Sequence, residues 1–251
     1  MMAAVALVPI AENVWVLTTP PVNWVLVAGE RGLTAIDAGL PASWDQLNAA
    51  ITELGRLPGE LRGVVLTHGH LDHTGFAARA QRELGAEVFA HPDDTKILRR
   101  PLWPVPSERL ALPYLRHGSA RRALREMIAG RARRAEAVTS FSPLVADAVL
   151  DLPGRPVVVA TPGHSPGHCS IHLPEPDVVV AGDALVTWDP YTGATGPRLV
   201  ARASTWSSAA AERSLDALAA TGAGILVPGH GDVWREGAAR AVELARQAVQ
   251  G

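Results

Sequence analysis

Apolar runs separated by short turn sequences dominate the first part of the chain. Four runs predict consecutive strands, at residues 3–8, 14–19, 23–28 and 33–37. The turn residues between them lie at Glu12-Asn13 and at 29–32. Links this short favour antiparallel pairing of neighbouring strands. We therefore expect the chain to begin with an antiparallel meander.

Helical periodicity and strand-like runs alternate in the rest of the chain. Helices are predicted at residues 44–54, 73–84, 119–134, 207–220 and 237–249. Ser43 is the expected N-cap of the first helix, and Gly55 and Gly85 are expected to end the first two. Further strands are predicted at residues 64–66, 87–90, 146–150, 157–161, 167–173, 177–181 and 225–227, with a hairpin formed by 167–173 and 177–181. This order predicts an α/β fold.

Composition narrows the function classes. The 251 residues are 47% hydrophobic and carry a net charge of -2, which predicts a sizeable core and implies neither a nucleic-acid partner nor a membrane partner. Cys169 is the single cysteine, so an intrachain disulfide and a cysteine metal cluster are excluded. Residues 1–10 lack the basic start of a signal peptide, and no apolar run reaches membrane-spanning length. We expect a cytoplasmic protein acting on a small molecule.

Residues 92–136 differ in character from their surroundings. Prolines are frequent between 101 and 113, and arginines stand at positions 99, 100, 109, 116, 121, 122, 125, 131, 133 and 134. Between positions 99 and 136 the only acidic residues are Glu108, Glu126 and Glu136. We predict one domain over residues 1–251, with an arginine-rich, partly helical insert at about 92–136 that lies over the site as a lid. The alternative is a solvated, arginine-rich helix face.

The strongest chemical signal is the stretch Thr67-His68-Gly69-His70-Leu71-Asp72-His73, which follows a predicted buried strand. His68 and His70 are two residues apart, so in an extended segment their side chains point the same way. Asp72 and His73 follow as the chain turns. Imidazole and carboxylate ligands suit Zn(II), Fe(II) or Mn(II). The alternative is a polar loop with incidental histidines.

Three later loops repeat this arrangement. Each places a His or Asp beside a glycine at the C-terminal end of a predicted strand, where sites of α/β folds form. These residues are His164, Asp183 and His230. With the first loop they make seven potential metal ligands from four loops.

The order H-x-H-x-D-H, P-G-H, G-D and P-G-H resembles the pattern of the metallo-β-lactamase-fold hydrolase superfamily, in its glyoxalase II-like or lactonase-like branch. The resemblance implies an αββα sandwich of two mixed sheets with helices on both outer faces and a binuclear metal centre. The ligands it implies for the first metal ion are His68, His70 and His164. Those for the second are Asp72, His73 and His230. It also implies that Asp183 bridges the two ions and that Asp37 supports the metal loops through hydrogen bonds.

Two neighbouring dications lower the pKa of a shared water to near neutrality and so supply hydroxide for attack on a carbonyl. We therefore predict a binuclear hydrolase of an ester, thioester or lactone, with zinc as the expected metal and iron or manganese as alternatives. Asp72 is expected to orient the nucleophile, and Tyr191 to donate a hydrogen bond to the substrate carbonyl, as the lactonase branch implies. Alternatives are an iron-dependent oxygenase, a phosphodiesterase or nuclease, and a non-catalytic protein whose metal only holds loops together.

The sequence differs from the glyoxalase II branch of the superfamily, and the differences narrow the expected substrates. The chain ends soon after His230, without the basic helical extension of glyoxalase II, and Ala184-Leu185-Val186-Thr187-Trp188 replaces that branch's pattern after Asp183. Hydroxyacylglutathione hydrolysis is therefore not expected.

Several other residues have competing interpretations. His168 and His172 flank Cys169 on one strand; we interpret the histidines as structural, with support of a metal ligand as the alternative for His168. Cys169 is expected to be a small core residue, and His91 to cap a loop. The insert residues that could contact substrate are Trp103, Tyr114 and Arg116.

Overall fold

The computed structural model describes residues 7–250, with two β-sheets packed face to face. Thirteen strands occur in this range: β1 (Val8–Ala11), β2 (Val14–Thr19), β3 (Val22–Gly29), β4 (Gly32–Ile36), β5 (Leu61–Val65), β6 (Glu87–Ala90), β7 (Ser142–Pro143), β8 (Val157–Ala160), β9 (Cys169–Leu173), β10 (Val178–Gly182), β11 (Val186–Trp188), β12 (Thr195–Arg198) and β13 (Ile225–Pro228). Most of the predicted first strand, residues 3–6, lies outside the described residues.

Six α-helices accompany them: α1 (Ser43–Glu53), α2 (Ala77–Leu84), α3 (Thr95–Leu98), α4 (Gly118–Ala129), α5 (Ser208–Ala220) and α6 (Ala238–Gln250). Short 3-10 helices lie at Pro58–Glu60, Pro92–Asp94, Leu112–Arg116, Ala132–Arg134 and Arg202–Ser204. Within residues 7–250, no helix combines the length and apolarity needed to cross a bilayer.

Both large sheets are mixed. The first contains β1 to β7 in chain order; β1 to β4 pair antiparallel, and β4 to β7 pair parallel. The second has the order β13-β10-β9-β8, in which only β13 and β10 pair parallel. The predicted meander and the hairpin of β9 and β10 are confirmed. Strands β11 and β12 form a separate small hairpin.

Alternating side chains divide the core into layers. On β3, Val25 and Val27 point between the sheets, whereas Trp24 and Leu26 point outward beneath α1 and α2. On β10, Val180 faces the first sheet, and Val179 packs beneath α5 and α6. Because successive strand residues face opposite sides, each sheet buries one face against the other sheet and one against helices. The predicted αββα sandwich is confirmed.

Several local predictions were wrong. Residues 146–150 form a turn and a single bridge from Val149 to Val157, because Asp147 takes a left-handed conformation, with φ +62°, that a strand does not accommodate. Ser43 is the first residue of α1 and not its N-cap; its hydroxyl accepts a hydrogen bond from the Leu40 amide at 3.0 Å. Helix α4 ends at Ala129, short of residue 134.

Helix α2 starts four residues later than predicted. Residues 71–76 form a turn whose backbone pairs with the loop after β4. The His73 carbonyl accepts from the Ala38 amide at 2.7 Å, and the Gly75 amide donates to the Gly39 carbonyl at 2.8 Å. Bonds to this loop replace the first helical turn and hold His73 at the sheet edge.

Candidate metal centre

The seven predicted ligand residues lie together at one edge of the sandwich. His68, His70, Asp72 and His73 follow β5, and the other three residues follow β8, β10 and β13. Six of the seven side chains are buried; Asp72 is partly exposed. Short loops at strand ends therefore bring together residues that are up to 162 positions apart in the chain.

Among the described residues, three groups of three ligand atoms are close; two of them share no residue, and the third, of His68, His73 and Asp183, connects them. The first comprises His68, His70 and His164, whose ligand atoms all lie within 4.8 Å of one another. In it, His70 Nδ1 lies 2.8 Å from His164 Nε2. The second group, equally compact, comprises Asp72, His73 and His230.

Asp183 lies between these groups. Its Oδ2 is 3.3 Å from His164 Nε2 and also 3.3 Å from His230 Nε2. Its Oδ1 is 3.6 Å from His73 Nε2. One carboxylate thus contacts both groups, and its two oxygens point toward different histidines.

Several of these atoms lack any other partner. His68 Nε2, His73 Nε2 and Asp183 Oδ1 are buried without a hydrogen bond to any described residue. Leaving polar atoms buried and unpaired costs free energy, so their convergence indicates a bound ligand. Nitrogen and carboxylate donors without a thiolate suit divalent cations such as zinc, iron or manganese. The residues present therefore fit divalent metal ions.

A hydrogen-bond network orients the first loop. Asp37 Oδ2 lies 2.8 Å from His73 Nδ1, and Asp37 Oδ1 accepts from the Thr67 amide at 2.7 Å. The Thr67 hydroxyl lies 3.0 Å from His68 Nδ1. Since the Nδ1 atoms of both histidines are engaged, their Nε2 atoms are directed to the centre. The supporting position expected for Asp37 is what the structure shows.

His168 supports Asp183 directly. Its Nε2 accepts a hydrogen bond from the Asp183 amide at 3.1 Å, and its Nδ1 lies 2.9 Å from the Thr161 hydroxyl. Gly182, with φ +53°, makes this approach possible, because a Cβ there would lie 2.9 Å from His168 Nε2. His168 therefore occupies the supporting position that the sequence left as an alternative.

The sequence does not predict the role of Asp94. Its buried carboxylate accepts from the Gly69 amide at 2.8 Å, the Ser165 hydroxyl at 2.7 Å and the Gly167 amide at 2.8 Å. It thereby joins the loop of His68 and His70 to the loop of His164. The adjacent Asp93 is exposed. No sequence signal near these two aspartates indicates which of them is buried.

The other residues with competing interpretations are also placed. His91 Nδ1 accepts from the Asp93 amide at 3.2 Å, which confirms the predicted loop cap. Cys169 is buried between the sheets, as expected, and burial raises its thiol pKa to about 12. His172, also on β9, is partly exposed.

The histidines of the candidate metal centre differ in the direction in which their surroundings shift the imidazole pKa. Burial and the neighbouring imidazoles, His73 first, hold the pKa of His68 well below its usual value. Burial alone also lowers the pKa of His73, but the carboxylates of Asp37 and Asp183 raise it to about 10. His230, beside Asp183, likewise has its pKa raised to about 9 despite burial. Binding of a metal ion by His73 and His230 would therefore release protons from these two imidazoles.

A cavity of about 500 Å³ opens above the cluster. Tyr191 and Trp103 line it, together with the predicted ligands His70 and Asp72. The rings of Tyr114 and Tyr191 pack edge to face with their centroids 5.6 Å apart, but Tyr114 is not part of the cavity lining. Arg116 is exposed and donates to His117, away from the cavity lining.

The family is decided by comparison with known proteins. Residues 17–230 match the family model described as the metallo-beta-lactamase superfamily. The chain belongs to this superfamily. The matched range contains all seven clustered residues of the candidate metal centre.

The curated relatives described here are all less than 30% identical to the chain. A probable metallo-hydrolase of Bacillus subtilis, YflN, is 28% identical over 61% of this chain and 55% of its own length. The chain thus covers little more than half of that protein. An uncharacterized Bacillus subtilis protein, YobT, is 26% identical over 95% of both chains. Hydroxyacylglutathione hydrolase GloC of Haemophilus influenzae is 27% identical over 61% of this chain and 69% of its own.

Solved structures share the fold along nearly the whole chain. A metallo-beta-lactamase family protein of Thermus thermophilus, TTHA1429, is 26% identical, with a TM-score of 0.67 over 95% of this chain and 80% of that one. A Cronobacter sakazakii metallo-beta-lactamase with a HARLDQ motif has a TM-score of 0.68 and 24% identity, over 97% of this chain and 92% of its own.

Proposed function

We propose that the chain is a binuclear metal-dependent hydrolase of an ester, thioester or lactone. The observation that carries the proposal is the pair of His/Asp groups joined by Asp183 at the base of a cavity. The proposed ligands of the first cation are His68, His70 and His164. Those of the second are Asp72, His73 and His230, and Asp183, which lies between the two groups, would help to hold both cations.

The chain's own side chains complete the chemistry. Divalent cations held by these residues would supply hydroxide at neutral pH and polarise a carbonyl oxygen. Asp72 lies 3.5 Å from His230 Nε2 and lines the cavity, where its carboxylate would orient the attacking oxygen. Burial raises the pKa of the Tyr191 phenol, so it stays protonated and can donate a hydrogen bond to the carbonyl oxygen. Side chains of the insert at 92–136 line this cavity, which supports the proposed role of the insert as a lid.

Zinc is the proposed metal, with iron and manganese as the alternatives that the same donors accept. Elemental analysis of the purified protein identifies the metal and its stoichiometry. Run in parallel, a panel of thioesters, lactones and phosphodiesters tests the reaction, and a hydroxyacylglutathione thioester belongs in it because of the similarity to GloC. Two zinc ions per chain with carbonyl-ester cleavage are expected. A single iron without hydrolysis contradicts the proposal and favours the oxygenase.

A further inference from the structure

The cavity above the candidate metal centre has two chemically distinct parts. Its floor consists of polar residues of the centre, among them His70, Asp72, Asp183 and His230. Most of its wall is apolar and comes from the insert. The insert side chains that line it include Trp103, Val105, Leu112, Leu115, Leu124 and Met127.

Charge is segregated away from this wall. The insert, residues 92–136, contains eleven Lys or Arg and five Asp or Glu, so it carries +6, whereas the whole chain carries -2. Among the described residues that line the cavity, none is Lys or Arg. A phosphate or other anionic group therefore has no counter-charge on this wall, and an uncharged occupant fits best.

Large apolar side chains are left open to solvent around the cavity. Leu112 is 74% exposed, Trp103 66% and Leu124 49%. Apolar surface concentrated around a concave site marks a place where a ligand is buried. Because the cavity opens onto the candidate metal centre, its occupant is the molecule whose carbonyl reaches that centre.

The wall is fastened to the rest of the fold. The Glu108 carboxylate accepts from the Ser208 amide at 2.8 Å and from Arg202 Nε at 2.6 Å. Farther along the insert, the Ser119 hydroxyl donates to the Tyr191 carbonyl at 3.2 Å. These contacts hold the insert against the segments that form the opposite side of the cavity, so the wall presents a defined shape.

We propose that the insert forms a pocket for an aliphatic acyl chain, which makes acyl esters, thioesters or lactones with a hydrocarbon tail the substrate class. This inference rests on the proposed function. The acyl side is assigned because the leaving oxygen or sulfur gains negative charge as the bond breaks, which an apolar wall disfavours. The hydrocarbon next to the carbonyl stays uncharged throughout.

A chain-length series tests the pocket. The metal-loaded protein is assayed with p-nitrophenyl esters from acetate to decanoate. Each methylene that enters the pocket is expected to raise kcat/KM about two- to fourfold until the pocket is filled. A kcat/KM independent of chain length across the series overturns the inference.

A matched pair of variants on α4 locates the effect. Ala123 lines the cavity, whereas Ala129 is exposed on the same helix and is not part of the lining. Ala123→Phe is expected to shift the optimum to shorter chains, and Ala129→Phe to leave the wild-type profile unchanged. Equal profiles for both variants contradict the assignment of this wall.

Binding without turnover separates this inference from the proposed function. Titration calorimetry with saturated carboxylates, kept below their micelle concentrations, is expected to show affinity rising with chain length, and less steeply in Ala123→Phe. If no ester is cleaved but the affinity still rises with chain length, the hydrolase proposal is contradicted and the acyl-pocket inference is supported. If esters are cleaved but neither the affinity nor kcat/KM depends on chain length, the acyl-pocket inference is contradicted and the hydrolase proposal is supported.

Discussion

Replacement of Asp94 by Asn is expected to destabilise the protein through the two loops that this carboxylate joins. In the native structure both carboxylate oxygens accept, from two amides and one hydroxyl at 2.7 to 2.8 Å. An Asn keeps one oxygen and turns its NH₂ group toward at least one buried donor. A buried donor left without an acceptor costs about 1–3 kcal/mol, and lost hydrogen bonds to a charged group cost about 1.5–3 kcal/mol. These overlapping costs give an expected loss of about 2–4 kcal/mol.

Thermal unfolding of the metal-free protein measures this loss. For a chain of this size, about 2–4 °C of Tm corresponds to each kcal/mol, so a fall of roughly 5–15 °C is expected. Asp93→Asn is the matched control, since the Asp93 side chain is 66% exposed and its carboxylate approaches His91 only at 3.8 Å. The same substitution there is expected to leave Tm within about 1 °C of wild type.

The metal site provides a second measurement on the same variant. Asp94 holds the loop of His70 against the loop of His164, so its loss is expected to weaken metal binding about 10- to 100-fold. Competition with a chromogenic chelator measures that affinity. A Tm and a metal affinity indistinguishable from those of Asp93→Asn would refute the view that this carboxylate holds the two loops together.

Three further outcomes are expected. His70→Ala should lose both stoichiometric metal, by elemental analysis, and ester hydrolysis, because it removes one of three convergent donors; full metal with retained turnover contradicts the ligand assignment. Tyr191→Phe should lower kcat about 100- to 1,000-fold at unchanged metal content, because a donor to the carbonyl oxygen is lost, and a wild-type kcat argues against that contact. Hydrogen bonds from Ser208 and the ion pair with Arg202 lower the pKa of Glu108 to about 2, so its stabilising effect is present above pH 4.5 and is lost as the pH falls toward 2. The Tm difference between wild type and Glu108→Gln, measured on metal-free protein, should therefore shrink between about pH 5 and pH 3; a constant difference excludes the ionised pair as its source.

Local signals in the sequence account for most of the architecture. Alternation along β3 and β10 distinguishes the faces turned to the other sheet from those turned to helices, because side chains alternate strictly in an extended chain. The wrong strand prediction at 146–150 also has a local cause, because Asp147 adopts a left-handed backbone conformation. Aspartate tolerates that conformation, but the amino-acid sequence does not indicate when an aspartate adopts it.

The small hairpin shows where local signals are too weak. Strand β11 has three residues and β12 has four, one of which is Pro197. Segments this short carry too few alternating positions to be recognised, and proline argues against a strand. Their pairing is decided by the surrounding fold.

The sequence by itself determined which residues gather at the candidate metal centre, because each follows a strand within a short loop and strand ends share one edge of the fold. It did not determine what supports them. Asp94 bonds to residues 71 and 73 positions away, and the Thr67 amide that Asp37 holds is 30 positions away. Likewise, the composition of the insert was evident, but only the tertiary structure decided that its apolar side chains face the cavity while its arginines do not. Such contacts depend on how loops pack across two sheets, a long-range property that no local pattern encodes.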